Sequence, residues 1–274
     1  MLNEWKVKPR NIEIIAYEID RNLNGFIKEN YEYSKEKLRG AGVNFKYKII
    51  NENFMEVGYK NSSVDIIIQN PPYKKIDSNS KIKKQLIEQQ IAVSNQYAAF
   101  ILIAMNLLKE RGSLVAITPR SFCNGKYFVD FRVSLLKLGT FKAIHLYESR
   151  NSLFREDYVL QENIIYHLVK KIPNNQDKVT IYHSDNQQQS EVTKYIVDYA
   201  ELIHPDDKEM MIRILKDERD KEIVRKSKKF KYTLEDLNIS ISTGPFVDFR
   251  EENKYKNKDN KQLFLPYIFQ NILI

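Results

Sequence analysis

Val64-Asp65-Ile66-Ile67-Ile68-Gln69-Asn70-Pro71-Pro72-Tyr73 joins a strand and its stop within ten residues. The apolar, β-branched run reads as a buried strand of a parallel sheet. Asn70-Pro71-Pro72-Tyr73 cannot continue that strand. Consecutive prolines donate no backbone hydrogen bonds and hold φ near about −65°, so the turn is stiff. A rigid turn at the carboxyl end of a parallel strand is where open α/β sheets place their ligands. An amide, exposed carbonyls and an aromatic ring are thus delivered together to a cleft. The same four residues also serve as an ordinary strand-ending turn, so their surroundings must separate the two readings.

Upstream, residues 12–20 read as a short apolar strand ending in acids, and residues 21–40 as a helix closed by Gly40-Ala41-Gly42. Residues 45–50 form the next expected strand, before Asn51-Glu52-Asn53-Phe54. Downstream, the lysine-rich residues 74–84 are expected to be a mobile loop. A helix is expected over 95–111, with Tyr97, Phe100, Ile101, Ala104, Leu107 and Leu108 on one stripe and Gly112 as its stop. A buried strand at 113–118 ends at Pro119; a helix at 129–138 and strands at 143–147 and 163–169 complete a sheet. A surface connection around Pro173 leads to a strand at 179–183. Asp206-Asp207 would cap a charged helix reaching about Lys226, and the last residues read as strands and loops. Strand, helix, strand, strand at this spacing gives an α/β, doubly wound, Rossmann-like sheet.

The 274 residues include 42% hydrophobic and 12% aromatic residues, enough for a folded core. A net charge of +8 favours a polyanionic partner, although 36 acids are mixed with 44 bases. The single Cys123 excludes an internal disulfide and a multi-cysteine zinc site. Four scattered histidines give no metal-ligand spacing, so no metal is expected. No signal peptide or bilayer-spanning run is apparent, so the expected location is cytoplasmic, with no membrane partner.

These residues resemble a known family. Asn70-Pro71-Pro72-Tyr73 is similar to the Asn/Asp/Ser-Pro-Pro-Tyr/Phe motif of amino-methyltransferases that use S-adenosylmethionine. Thr118-Pro119-Arg120-Ser121-Phe122 with Gly125 and Phe128, then Ser149-Arg150, Phe154 and Val159-Leu160-Gln161-Glu162-Asn163, resemble adenine-specific DNA methylases of type II (type IIG-like) restriction–modification systems. Ser242-Thr243-Gly244-Pro245 with Asp248-Phe249-Arg250 is similar to the entrance of their target-recognition domain. The resemblance implies methyl transfer from S-adenosylmethionine to the exocyclic amine of adenine in double-stranded DNA. Such an amine is a poor nucleophile because its lone pair is delocalised. Acceptors aimed at it favour a tetrahedral nitrogen and stabilise its developing positive charge. By resemblance, Asn70 and the Pro71 carbonyl supply those acceptors and Pro72 stiffens the turn. Tyr73 stacks on a base that has left the duplex, and Phe154 covers its other face. Glu18, with Asp20 as competitor, would hold the donor's ribose; Asn53 and Phe54 would meet its adenine. Lys74 and Lys75, with Lys81, Lys83 and Lys84 nearby, and Arg120 and Arg250 are candidates for DNA phosphates.

Two departures shape the expectation. The family has Asp where Asn53 stands, and its glycine-rich donor loop comes after a first strand that residues 1–11, with no glycine, do not contain. The expected chain is therefore the middle of a longer methylase: a sheet lacking its first strand, then the start of a mixed α+β target-recognition region. Residues 1–172 would be the catalytic core, 173–236 a connecting strand and charged helix, and 237–274 the beginning of the recognition domain. A second chain could supply the missing donor-binding segment. The competing readings are an inactive fragment that binds DNA or a partner chain, and a methyltransferase acting on a protein glutamine amide.

Overall fold

A computed structural model describes residues 9–56, 63–147, 162–184, 192–227, 229–232, 234 and 236–239. The chain divides into two compact units, Met1–Asp220 and Lys221–Ile274. In the first unit, β1 (Asn11–Tyr17) and β2 (Asn44–Ile50) pair in parallel, from Asn11↔Asn44 to Tyr17↔Ile50. Parallel strands need a crossover, and α1 (Asn24–Gly40) supplies it. Gly42 closes the helix at φ +74, the left-handed geometry that glycine adopts without strain. Tyr31 of α1 lies 5.1 Å from Tyr47 and 6.2 Å from Phe45, ring to ring.

The second sheet has six strands: β3 (Val64–Gln69), β4 (Leu108–Pro119), β5 (Thr140–Tyr147), β6 (Asn163–Val169), β7 (Lys178–Ser184) and β8 (Thr193–Asp198). Their spatial order is β3-β4-β6-β5-β7-β8. Strand β6 is antiparallel to both neighbours, so β3, β4, β5 and β7 all run the same way. Their carboxyl ends, at Gln69, Pro119, Tyr147 and Ser184, therefore share one edge. Leu114, Ala116, Ile144, Ile164, Tyr166, Leu168, Val179 and Ile181 bury the interior of this sheet. Strands β7 and β8 belong to it, and the compact unit continues past residue 172 to Asp220. Strand β8 and the short α5 (Tyr199–Leu202) add to the expected elements, although Asp198 and Glu201 form a legible capping box.

Four local expectations need correction. The run Val64–Ile68 forms the expected strand but is not buried: Ile66 is 59% and Ile68 79% exposed, because β3 is the edge strand of its sheet among the described residues. The helix expected over 95–111 is α3 (Gln96–Leu107), and the chain turns directly into β4 at Leu108. Lys170 donates to the carbonyls of Asn106 at 3.0 Å and Leu108 at 2.7 Å, satisfying the helix end before Gly112 is reached. The stripe on α3 is also wider than expected: residues from Tyr97 to Met105 are buried on nearly every side, as in a fully enclosed helix. The lysine-rich segment is tied down, not a loose loop. Ile76 N donates to Ser94 O at 2.7 Å and Gln96 N to Lys74 O at 2.9 Å. Helix α2 (Lys81–Glu88) comes next, its amino end capped by Ser80. Finally, Asp206-Asp207 cap no helix. Asp207 accepts from Glu209 N and Met211 N and pairs with Arg213 at 2.6 Å, while Ile212, Ile214 and Leu215 bury an extended strap. The charged helix is only α6 (Glu218–Ser227), begun by Asp217 accepting from Asp220 N at 2.9 Å. Within the second unit, Glu222 and Lys226 pair at 2.8 Å, one turn apart.

Candidate active site

The turn after β3 is placed by its strand. β3 pairs with β4 from Ile66↔Ser113 to Gln69↔Ala116, so Asn70 and Thr118-Pro119 leave the sheet side by side. Asn70 and Pro72 are exposed, Pro71 is buried beneath them, and Tyr73 is half-buried. The turn therefore offers the Asn70 amide to solvent on a proline ring fixed in the protein. The Tyr73 ring stands edge-on to Tyr97 of α3 at 6.2 Å, and its hydroxyl oxygen is shielded from solvent. Burial raises the pKa of Tyr73 and pushes that of Tyr97 up to about 12, so both rings are neutral at physiological pH. An uncharged ring with a fixed edge is suited to stacking. Lys74 and Lys75 come immediately after, both exposed; Lys75 bridges to Asn95, which fixes its backbone and leaves the ammonium outside. Lys83 faces inward and donates to Val93 O at 2.6 Å.

Arg120 begins the turn after β4. Its Nη1 donates to Glu162 Oε2 at 3.0 Å and its backbone N to Glu162 O at 2.7 Å. That pair stitches β4 to β6 and partly neutralises the Arg120 charge. Strand β5 ends at Tyr147 and β6 begins at Asn163 on this same edge; Phe154 between them lies outside the described residues, as do Ser149, Arg150, the Ser242–Arg250 motif and hence Arg250.

The residues expected on the donor side gather at the ends of β1 and β2. Glu18 N donates to Ile50 O at 3.0 Å, and Asn51 donates to Glu18 O at 2.8 Å, which locks the two strand ends together. One oxygen of Glu18 accepts from Asp20 N at 2.8 Å, leaving the other for a hydroxyl. Asp20 accepts from Asn22 N at 2.9 Å and caps a 3₁₀ turn, so it is the more committed of the two acids. Asn53 Oδ1 accepts from Met55 N at 3.0 Å, which leaves its amide hydrogens and one lone pair for a ligand. Phe54 is wedged between Tyr17 at 5.3 Å and Phe100 of α3 at 5.1 Å, making a flat apolar wall. Gln69 Nε2, beside Asn70, is shielded from solvent with no partner among the described residues. The acid, the amide and the aromatic wall at the ends of β1 and β2 suit the polar and planar parts of a nucleoside-like donor.

Sequence reasoning misses two residues that support the site. Tyr97 reads only as part of an apolar stripe, and Arg132 lies on the face of α4 (Val129–Leu138) that Phe131, Leu135 and Leu136 bury. Arg132 is fully enclosed and holds the carbonyls of Phe122, Gly125 and Glu209 at 2.8–2.9 Å. Nothing in the local sequence distinguishes such an arginine from a surface one. Cys123 is buried, and burial pushes its thiol up to about 12, so it is no nucleophile. Among the described residues no cluster could hold a metal ion, and no helix is long and apolar enough to cross a membrane.

The Eco57I restriction-modification methylase family matches residues 4–154. The type II methyltransferase M.PstI of Providencia stuartii is 36% identical over 248 residues, covering 88% of this chain and 49% of that protein. M.BsuBI of Bacillus subtilis, also a type II methyltransferase, is 37% identical over 226 residues, covering 81% of this chain and 44% of its own length. The chain thus spans about half the length of these curated relatives. The family's match runs from before β1 through the Asn70 turn to the end of β5, over half of the sequence, and the chain belongs to the Eco57I restriction-modification methylase family.

Proposed function

We propose that this chain carries the acceptor side of an adenine-specific DNA methyltransferase of a type II restriction–modification system, a cytoplasmic enzyme with S-adenosylmethionine as donor. The observation that carries the reading is the Asn70 turn: an exposed amide on a buried proline, at the shared carboxyl edge of four parallel strands. An adenine entering there would donate its amine hydrogens to Asn70 Oδ1 and to the Pro71 carbonyl. Both acceptors sit on a backbone that prolines hold still, so they need little reorganisation as charge develops. Tyr73 would stack on the extruded base, and Phe154 would close its opposite face. Lys74 and Lys75 suit phosphates flanking the extruded nucleotide. When bound, S-adenosylmethionine supplies the electrophilic methyl group. Glu18 would hold its ribose hydroxyls, and Phe54 with Asn53 would receive its adenine. The measurement is tritium transfer from S-adenosylmethionine to DNA, lost in Asn70→Ala. A wild-type protein of full family length that labels no DNA would sink the proposal.

A second reading concerns completeness, and the sheet edges favour it. Among the described residues, β1 pairs only with β2 and β3 only with β4. Ile15 is 50%, Ile66 59% and Ile68 79% exposed on these strands. Unpaired strand edges carrying exposed isoleucines are normally covered or paired. In this reading a further strand, from the longer polypeptide or a second chain, completes the donor side, and residues 1–274 alone bind donor weakly. Calorimetry with S-adenosylmethionine separates the cases: micromolar binding by this chain alone would refute it.

A further inference from the structure

The turn joining β4 to α4, residues 120–128, leaves the sheet at the same edge as Asn70 and is braced from beneath. Arg132 Nη1 donates to Phe122 O at 2.9 Å and Gly125 O at 2.8 Å, and its Nε donates to Glu209 O at 2.8 Å. Nη2 of this enclosed guanidinium has no partner among the described residues, so its buried charge depends on those three bonds, and a shift of the turn would take more of them away. Gly125 closes the turn tightly, since a Cβ there would lie 2.8 Å from Ser121 O. Phe122 and Cys123 are buried, and Phe128 rests on Tyr97 at 5.7 Å, the same ring that meets Tyr73. The turn and the candidate catalytic turn thus share one aromatic support.

From this brace four side chains face solvent, Ser121, Asn124, Lys126 and Tyr127, the last 91% exposed. A lone surface aromatic is ordinary, but this one is presented by a rigid turn beside a site read as extruding a base. Extrusion leaves the neighbouring bases with uncovered faces, and inserted or stacked side chains commonly replace the lost contact. We infer that Lys126 and Tyr127 form a second DNA contact, Lys126 on a backbone phosphate and Tyr127 stacked on a base next to the extruded nucleotide. The inference rests on the DNA reading above. It differs from Lys74 and Lys75 in kind: they attract the backbone, whereas Tyr127 replaces stacking energy and so favours the opened duplex.

The test uses the 274-residue chain and a short labelled DNA duplex, with a photoreactive benzoylphenylalanine at position 127 or at position 172. Ile172 is 81% exposed and comes just after β6, which ends away from the catalytic edge, so it serves as the control. Cross-linking from 127 and not from 172 is expected. Tyr127→Ala should weaken binding about tenfold and Tyr127→Phe should retain it, because the ring face and not the hydroxyl does the stacking. Lys126→Gln should lower the slope of log affinity against log salt by about one. Binding by wild type with equal cross-linking from both positions, or with Tyr127→Ala unchanged, overturns the inference and leaves the DNA reading standing. Wild-type protein that binds no DNA overturns both.

Discussion

Asn70 and Glu18 both stand at the carboxyl ends of parallel strands, yet what lies behind them differs. Behind Asn70, β3 joins a six-stranded sheet, and α3 buries Tyr97, Ile101, Ile103 and Met105 almost completely. Behind Glu18, β1 has a single neighbour among the described residues, α1 buries no residue, and Ile15, Phe26 and Tyr33 face solvent. The two halves share a chemistry of strand-end polar groups but not a degree of packing. Rigid backing suits groups that must be preorganised for a transition state, since any slack there is lost catalysis. A strand pair with open edges suits a region whose remaining contacts come from elsewhere. On the proposed reading, the difference would place the preformed part of the site on the acceptor side.

The largest expected effect is on chemistry. Asn70→Ala in a full-length family context should lower the methyl-transfer rate by roughly 10²–10³-fold, the scale of losing one aligned acceptor or donor in such a site, with donor affinity unchanged. A loss of donor binding in the same variant would mean that the two halves are not separable. Next comes packing. Ile103→Ala in α3 should cost about 2–5 kcal/mol in urea unfolding, whereas the half-exposed Ile15→Ala should cost under about 1 kcal/mol. Similar losses would erase the contrast. Glu18→Gln should weaken donor binding severalfold by calorimetry while leaving the urea midpoint in place, because its carboxylate is not buried.

The smallest effect is in pH. Burial lowers the pKa of His145 on β5, with His183 adding to it, and of His167 on β6, with Lys142 adding to it. Both prefer to be neutral in the folded state. As pH falls through about 6.5 the unfolded chain protonates first, so their contribution is complete above that value and is lost as pH drops through the folded pKa. Hydrogen-exchange protection factors in β5 and β6, corrected for the intrinsic pH dependence of amide exchange, should fall modestly between neutral and mildly acidic pH. The β1–β2 pair holds no histidine and should respond less; an equal response would mean the two sheets open together.

Legibility tracks the range of the interactions. The strand at 163–169 is legible to the residue, because an apolar run with a polar start is a local signal. The end of α3 is not, because Lys170, more than sixty residues away, terminates it in place of Gly112. The helix expected from Asp206 fails for a similar reason: Arg213 pairs with Asp207, and Ile212 N bonds to Cys123 O at 2.9 Å, holding the strap extended against the core. The strand end before Asn70 is legible, since two adjacent prolines after a β-branched run cannot continue a strand. The supports of the site, Tyr97 and Arg132, are not.

By itself the sequence determined the alternation of strands and helices, the position of the Asn70 turn and the chemistry it can offer, all set by backbone restriction and side-chain type within a few residues. Only the tertiary structure decided that β6 enters antiparallel between β4 and β5, that Lys83 turns inward, that Arg120 is held by Glu162, and that β1 and β3 each keep one edge open among the described residues. Those outcomes depend on which distant groups compete for the same hydrogen bonds and apolar surface, and that competition exists only once the chain has folded.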